Sequence, residues 1–81
     1  MKLSFSGKAL RDYQKLPKNL QKTADKQFSF LLRGLKHPSL HAKKYDENLD
    51  VWQARVSKSY RVYFRIERDV YQIIAIIKHP K

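Results

Sequence analysis

The chain has 81 residues, enough for one small domain and too few for two, since an autonomous domain usually needs at least about 50 residues. Eighteen Lys and Arg against seven Asp and Glu give a formal net charge of +11, which opposes compaction and normally accompanies an anionic partner: nucleic acid first, with an acidic protein or a membrane surface as alternatives. The absence of cysteine excludes disulfides, thiol nucleophiles and thiolate metal sites.

Residues 2–6 (Lys2, Leu3, Ser4, Phe5, Ser6) alternate polar and apolar, which predicts a short half-buried strand. From Lys8 the spacing turns helical, with Leu10, Tyr13 and Leu16 recurring up to Pro17. Pro17 disfavours helical geometry at Leu16 and suits the first turn of a new helix, so two helices with a break are expected. In the second, Leu20, Ala24, Phe28, Leu31, Leu32 and Leu35 form one stripe, and Lys18, Lys22, Lys26 and Arg33 lie largely outside it. This is one amphipathic helix over residues 18–36, ending before Pro38.

Residues 37–49 are polar and mostly aperiodic, and they predict a loop of about a dozen residues, a length at which connections are often functional. Beyond it the period is two. Trp52, Ala54 and Val56 alternate with Gln53 and Arg55; Tyr60, Val62, Phe64 and Ile66 alternate with Arg61, Tyr63 and Arg65. The run from Val70 to Ile77 is apolar on both parities apart from Gln72, as in a strand inside a sheet. The order is β-α-α-β-β-β: a single α+β domain over 1–81, with a small antiparallel-rich sheet and two helices packed on one face.

Alternation also restricts how strands 50–56 and 60–67 can pair, because opposed residues share a face. A two-residue turn at Lys58-Ser59 would set Val56 against Arg61, mixing core with solvent. A three-residue loop (Ser57, Lys58, Ser59) instead pairs Val56 with Tyr60, Ala54 with Val62 and Trp52 with Phe64. The other face then pairs Arg55 with Arg61 and Gln53 with Tyr63, with Val51 opposite Arg65. Trp52 is expected to pack under the helix over residues 18–36.

The opposed arginines have two readings: both splay into water, or they form a phosphate site, for which the planar guanidinium fork is well suited. Changing Arg55 or Arg61 to alanine is expected to leave stability nearly unchanged or slightly raised, because it relieves repulsion. Tyr63, between Arg61 and Arg65, adds a ring on which a base can stack. The final strand brings either Lys78 or His79 to this face, and its mixed parity does not choose between them. An imidazole, with an ordinary pKa of about 6.5, can accept and return protons near neutrality. Lys43 and Lys44 stand in the loop leading to the hairpin and are either solvated or delivered to a phosphate.

His37, His41 and His79 lack carboxylate partners at ligand spacing, so no metal is expected. No segment reaches the roughly 18 apolar residues of a membrane span, and no signal-peptide core is present. A cytoplasmic location without membrane attachment is the expectation.

The Leu16-Pro17-Lys18 break, Trp52-Gln-Ala-Arg-Val56, Tyr60-Arg-Val-Tyr-Phe-Arg65 and the closing Ile76-Ile-Lys-His-Pro80, in this order, resemble the RelE/ParE toxin superfamily of bacterial toxin–antitoxin modules. The resemblance covers essentially the whole chain. It implies, for RelE-like members, a ribosome-dependent endoribonuclease that cuts mRNA in the A site, amid 16S rRNA, without metal or other cofactor. The RNA's 2′-hydroxyl attacks the adjacent phosphate, leaving a 2′,3′-cyclic phosphate and a 5′-hydroxyl. On that resemblance Arg61 stabilises the phosphate, Arg55 and Arg65 support it, His79 acts as general acid or base, and Lys43, Lys44, Lys78 and Tyr63 contact substrate. Many RelE-like relatives carry an aromatic residue several positions past the last strand; this sequence does not, so the resemblance implies either that Tyr63 or Tyr45 substitutes or that the activity is weak.

ParE-like members instead inhibit DNA gyrase without cleavage, and this reading is carried as the alternative. A cationic nucleic-acid-binding relative without activity is the third. In the first two cases the resemblance also implies a cognate acidic antitoxin, for which a charge of +11 is electrostatically suited.

Overall fold

A computed structural model describes residues 1–79; Pro80 and Lys81, which close the last motif, lie outside the described residues. Strand β1 spans Lys2–Phe5, and Ser6 then caps helix α1 (Gly7–Lys15), its hydroxyl accepting from the Ala9 N–H at 3.0 Å. Leu16 is extended, with ψ at 141°, as its position before Pro17 requires, and helix α2 (Lys18–Arg33) follows. Gly34, at φ 141°, ends α2 in a conformation open to glycine. The helix therefore stops three residues earlier than its apolar stripe suggests.

Strands β2 (Lys43–Asp46), β3 (Val51–Arg55), β4 (Tyr60–Glu67) and β5 (Val70–Lys78) complete a five-stranded sheet of order β1-β5-β4-β3-β2. β1 runs parallel to β5 and the other pairs are antiparallel. The segment expected to be a loop contains a 3₁₀ turn at Pro38–Leu40 and the short edge strand β2, so the order is β-α-α-β-β-β-β. β2 escapes the alternation rule because it is short, polar and at the edge, and a bulge between Lys44 and Asp46 breaks its register. β5 does lie inside the sheet.

Both helices cover one face. Ala9, Leu16, Ala24, Phe28 and Leu31 pack there against Ala54, Val56, Val62, Phe64, Tyr71, Ile73 and Ile76. Leu10 and Leu32, assigned to the apolar stripes, are 49% and 39% exposed. The core-facing line of α2 instead runs Ala24, Gln27, Phe28, Leu31.

Gln27 is the buried polar residue of this core. β2 begins at Lys43 opposite Gln53, so the Arg55 carbonyl lies past the end of that ladder. Gln27 Nε2 donates to it at 2.8 Å and to the Ser39 carbonyl at 3.1 Å, and its Oε1 accepts from Ser39 Oγ at 3.2 Å. One amide thereby ties α2 to the 3₁₀ turn and to the end of β3. Gln27→Leu is expected to cost about 1–3 kcal/mol, since it strands partly buried carbonyls; urea titration checks this, and an unchanged midpoint would refute it.

Candidate functional site

The three-residue loop sets the hairpin register derived above: Trp52 opposes Phe64, Gln53 opposes Tyr63, Ala54 opposes Val62 and Arg55 opposes Arg61. The Val56 N–H donates to the Tyr60 carbonyl at 3.1 Å, closing the loop. Arg55 and Arg61 consequently share the sheet face opposite the helices. They line a cleft of about 390 Å³ together with His41, Lys43, Gln53 and His79.

The two guanidinium groups are held differently. Arg61 Nη1 folds back onto the loop and donates to the carbonyls of Ser57 at 2.9 Å, Tyr60 at 3.1 Å and Lys58 at 3.4 Å. This is how like charges tolerate opposition: one is drawn toward backbone oxygens. It also corrects the expectation that Arg61 is dispensable for stability, because alanine would remove hydrogen bonds worth about 0.5–1.5 kcal/mol each. Arg55 makes no such contact, and its Nε is buried without a hydrogen-bond partner among the described residues. An unpartnered buried cationic donor in a cleft is suited to an anionic oxygen.

A one-residue shift decides between Lys78 and His79. The two-residue turn at Arg68-Asp69 pairs Glu67 with Val70 and Phe64 with Ile73. Continued without interruption, that register would put Lys78 on the cleft side. Instead Ile74 is an extra residue between the pairs Phe64–Ile73 and Tyr63–Ala75, so Arg61 opposes Ile77 and His79 follows onto the arginine face. The His79 N–H donates to the Ser59 carbonyl at 2.6 Å, anchoring its backbone to the hairpin loop. Lys78 opposes Tyr60 on the helix side, beside Asp12, Lys15 and Leu16.

Lys43 and Lys44 are separated by the same alternation. Lys43 opposes Gln53 in the cleft; Lys44 opposes Trp52 on the other face. Lys44 Nζ lies 2.6 Å from Asp50, 3.7 Å from Glu47 and 5.1 Å above the Trp52 ring. The Asp50 hydrogen bond raises the Lys44 pKa above its ordinary value, and Lys44 in turn lowers that of Asp50. Lys44 is therefore a turn clasp rather than a cleft residue. Arg65, exposed and opposite Gln72, shares the arginine face but lies outside the cleft lining.

Tyr63 borders the cleft through its partner Gln53. Its ring meets that of Tyr45 edge-on at 4.9 Å, where the β2 bulge turns Tyr45 outward. Burial, then the neighbouring Tyr45, pushes the Tyr63 hydroxyl above its usual pKa, opposed by Arg61. At neutral pH Tyr63 is thus an uncharged hydrogen-bonding group with an aromatic face.

His41 was not among the sequence-derived site candidates. It occupies the left-handed region at φ 46°, immediately after the 3₁₀ turn, and lines the cleft with His79. Its signal was faint: a histidine two residues before Lys43, in a segment whose strand was not legible. Among the described residues no group of three or more His, Cys, Asp or Glu side chains could hold a metal ion.

Residues 3–81 match the family model described as "ParE toxin of type II toxin-antitoxin system, parDE". The chain belongs to the ParE toxin family. No curated protein matches the sequence significantly. Among solved structures, this ParE-family toxin is similar to the YoeB/ParE toxin from Agrobacterium tumefaciens, with a TM-score of 0.82 at 15% identity over 99% of this chain and 100% of that one. It is also similar to a chain of the YoeB-YefM complex from Staphylococcus aureus, with a TM-score of 0.78 at 20% identity over 96% and 95% of the two chains. The isolated Escherichia coli RelE toxin gives 0.76 at 20% identity over 98% and 84%. At these identities the likeness is one of fold, and the ParE toxin shares the α+β architecture of the RelE/ParE superfamily. No helix among its described residues is long and apolar enough to cross a membrane.

Proposed function

We propose that this toxin is a ribosome-dependent endoribonuclease that cleaves mRNA in the A site. The observation that carries the reading is one cleft holding two arginines, a lysine and two imidazoles, with Arg55 Nε buried and unpartnered. In the proposed step the 2′-oxygen forms a bond to the adjacent phosphorus and the P–O5′ bond breaks. One group takes the 2′-hydroxyl proton and another returns a proton to the departing 5′-oxygen, leaving a 2′,3′-cyclic phosphate and a 5′-hydroxyl. His79 and His41 supply the two proton-transfer groups. Arg55, Arg61 and Lys43 stabilise the charge that develops on the phosphorane oxygens. Tyr63 and Tyr45 offer rings to a neighbouring base. All of these groups come from the chain itself, and the scheme uses no cofactor.

The partner we propose for control is a cognate acidic antitoxin, supported by the charge of +11 and by the YoeB-YefM complex of a structural relative. Gyrase inhibition is the second reading, favoured by the ParE description of the matching family. The test is to incubate the purified toxin with mRNA, with and without programmed ribosomes, and in parallel with gyrase and relaxed plasmid. Ribosome-dependent cuts ending in 2′,3′-cyclic phosphate are expected. Blocked supercoiling with intact transcripts would replace this reading with the second, and neither effect would leave a binding protein without chemistry.

A further inference from the structure

β5 must leave its turn-set register to bring His79 beside Arg61, and the residue that shifts it has identifiable supports outside the sheet. β1 ends at Phe5 opposite Ile73, so the outer edge of β5 beyond Ile73 has no strand beside it. The chain turning into α1 takes over. The Ser6 N–H donates to the Ile73 carbonyl at 3.0 Å, and the Ser6 hydroxyl donates to the carbonyl of the extra residue Ile74 at 3.0 Å. One helical span later, Asp12 Oδ2 accepts the Ile76 N–H at 3.0 Å. Residues 73, 74 and 76, which bracket the shift, are thus each fastened to the Ser6–Asp12 segment.

Asp12 is well suited to this role. Burial works against its charge, but hydrogen bonds from Lys8 and from the Ile76 amide, with the charges of Lys8 and Lys15, outweigh it and hold the pKa below the usual carboxylate value. Lys8 Nζ lies 2.8 Å away on the preceding helical turn. A charged acceptor makes a stronger hydrogen bond to a backbone amide than a neutral one. Asp12 lies in the second turn of α1, so besides pairing with Lys8 its carboxylate reaches across to a strand amide rather than to a helix terminus.

We propose that Asp12, with Ser6, is a positioning residue for the cleft: it holds β5 in the shifted register that presents His79, and not Lys78, beside Arg61. The proposal rests on the nuclease reading only for its consequence in catalysis; the register itself can be observed without activity. Neither residue touches the cleft, so any effect on cleavage passes through β5. Displacing a reacting group by about 1 Å can cost on the order of 10²-fold in rate.

The test compares Asp12→Ala, Asp12→Asn and Lys8→Ala with the unmodified protein by NMR and by single-turnover cleavage on programmed ribosomes. Cross-strand contacts of Arg61 with Ile77 report the shifted register, and contacts of Arg61 with Ile76 report its loss. A 2′-O-methyl oligoribonucleotide, which cannot be cleaved, probes whether the His79 ring faces bound RNA. Asp12→Ala is expected to weaken the Arg61–Ile77 contacts, remove the response of the His79 ring and slow cleavage about 10²-fold with ribosome affinity unchanged. Asp12→Asn keeps an oxygen for the Ile76 amide and is expected within a few-fold of wild type, as is Lys8→Ala.

An Asp12→Ala protein that keeps the Arg61–Ile77 contacts and the His79 response overturns the proposal, as does an Asp12→Asn defect equal to that of alanine. Should Asp12→Ala not fold, Ser6→Gly removes the Ile74 hydrogen bond at little cost to the helix cap, and the same contacts decide. If the wild type cleaves nothing, the nuclease reading fails while the cross-strand contacts still judge the register.

Discussion

His79→Ala is expected to slow ribosome-dependent cleavage by about 10²–10⁴-fold, the range over which a positioned acid or base contributes, and to leave the thermal midpoint nearly where it was. The two halves of this expectation have separate origins. His79 is exposed, and its link to the fold is a backbone hydrogen bond to Ser59, which alanine retains. The lost imidazole therefore removes chemistry without removing packing. Single-turnover cleavage on ribosomes with saturating toxin isolates the chemical step, and a melting curve checks the fold. His41→Ala provides the companion measurement: if the two imidazoles act as base and acid, each single change should produce a large loss and the double change much less than their product. Full cleavage by His79→Ala would remove His79 from the mechanism and shift the proton transfers to other groups in the cleft.

Where the sequence was informative, the physical reason is that one face was buried. Pairing Arg55 with Arg61 follows from requiring Trp52, Ala54 and Val56 to meet Phe64, Val62 and Tyr60, because a slip of one residue would turn that whole set into solvent. The same logic fails at β5. Its core-facing residues Tyr71, Ile73 and Ile76 do not share a parity, because the extra residue Ile74 intervenes. A run apolar on both parities reads as a strand buried twice over, and here it also conceals a change of face. Lys78 and His79 exchange places as a result. Lys43 and Lys44 were indistinguishable for a related reason: a four-residue polar edge strand carries no apolar alternation from which to tell its faces apart. Gln27 was legible in principle, as a polar residue between Ala24 and Phe28 on an apolar helical stripe, but its two carbonyl partners come from Ser39 and Arg55, distant in sequence. Arg61's attachment to its own loop depends on side-chain geometry that alternation does not address.

The largest effect on stability should come from Phe64→Ala, at about 3–5 kcal/mol. Phe64 is 0% exposed, at the centre of β4. Its ring meets Tyr71 edge-on at 5.6 Å and stacks on Trp52 at 6.5 Å and 15°. Removing it opens a cavity bounded by strands on both sides, which cannot collapse without moving the hairpin or the shifted part of β5. Trp52, expected from the sequence to pack under the helix, is only half-buried, at the margin of the core beneath Lys44, so Trp52→Ala should cost distinctly less than Phe64→Ala. At this chain length each kcal/mol moves the midpoint by roughly 4–8 °C, and small domains hold only about 5–15 kcal/mol in total. Phe64→Ala should therefore melt roughly 12–40 °C below the unmodified protein, whereas Phe64→Leu, which keeps most of the volume, should shift far less. Urea titration of both variants with Trp52→Ala gives the ordering. If Trp52→Ala proves the more damaging, the hairpin is held chiefly at its outer edge, and the core centred on Phe64 is not what keeps Arg55 and Arg61 opposed.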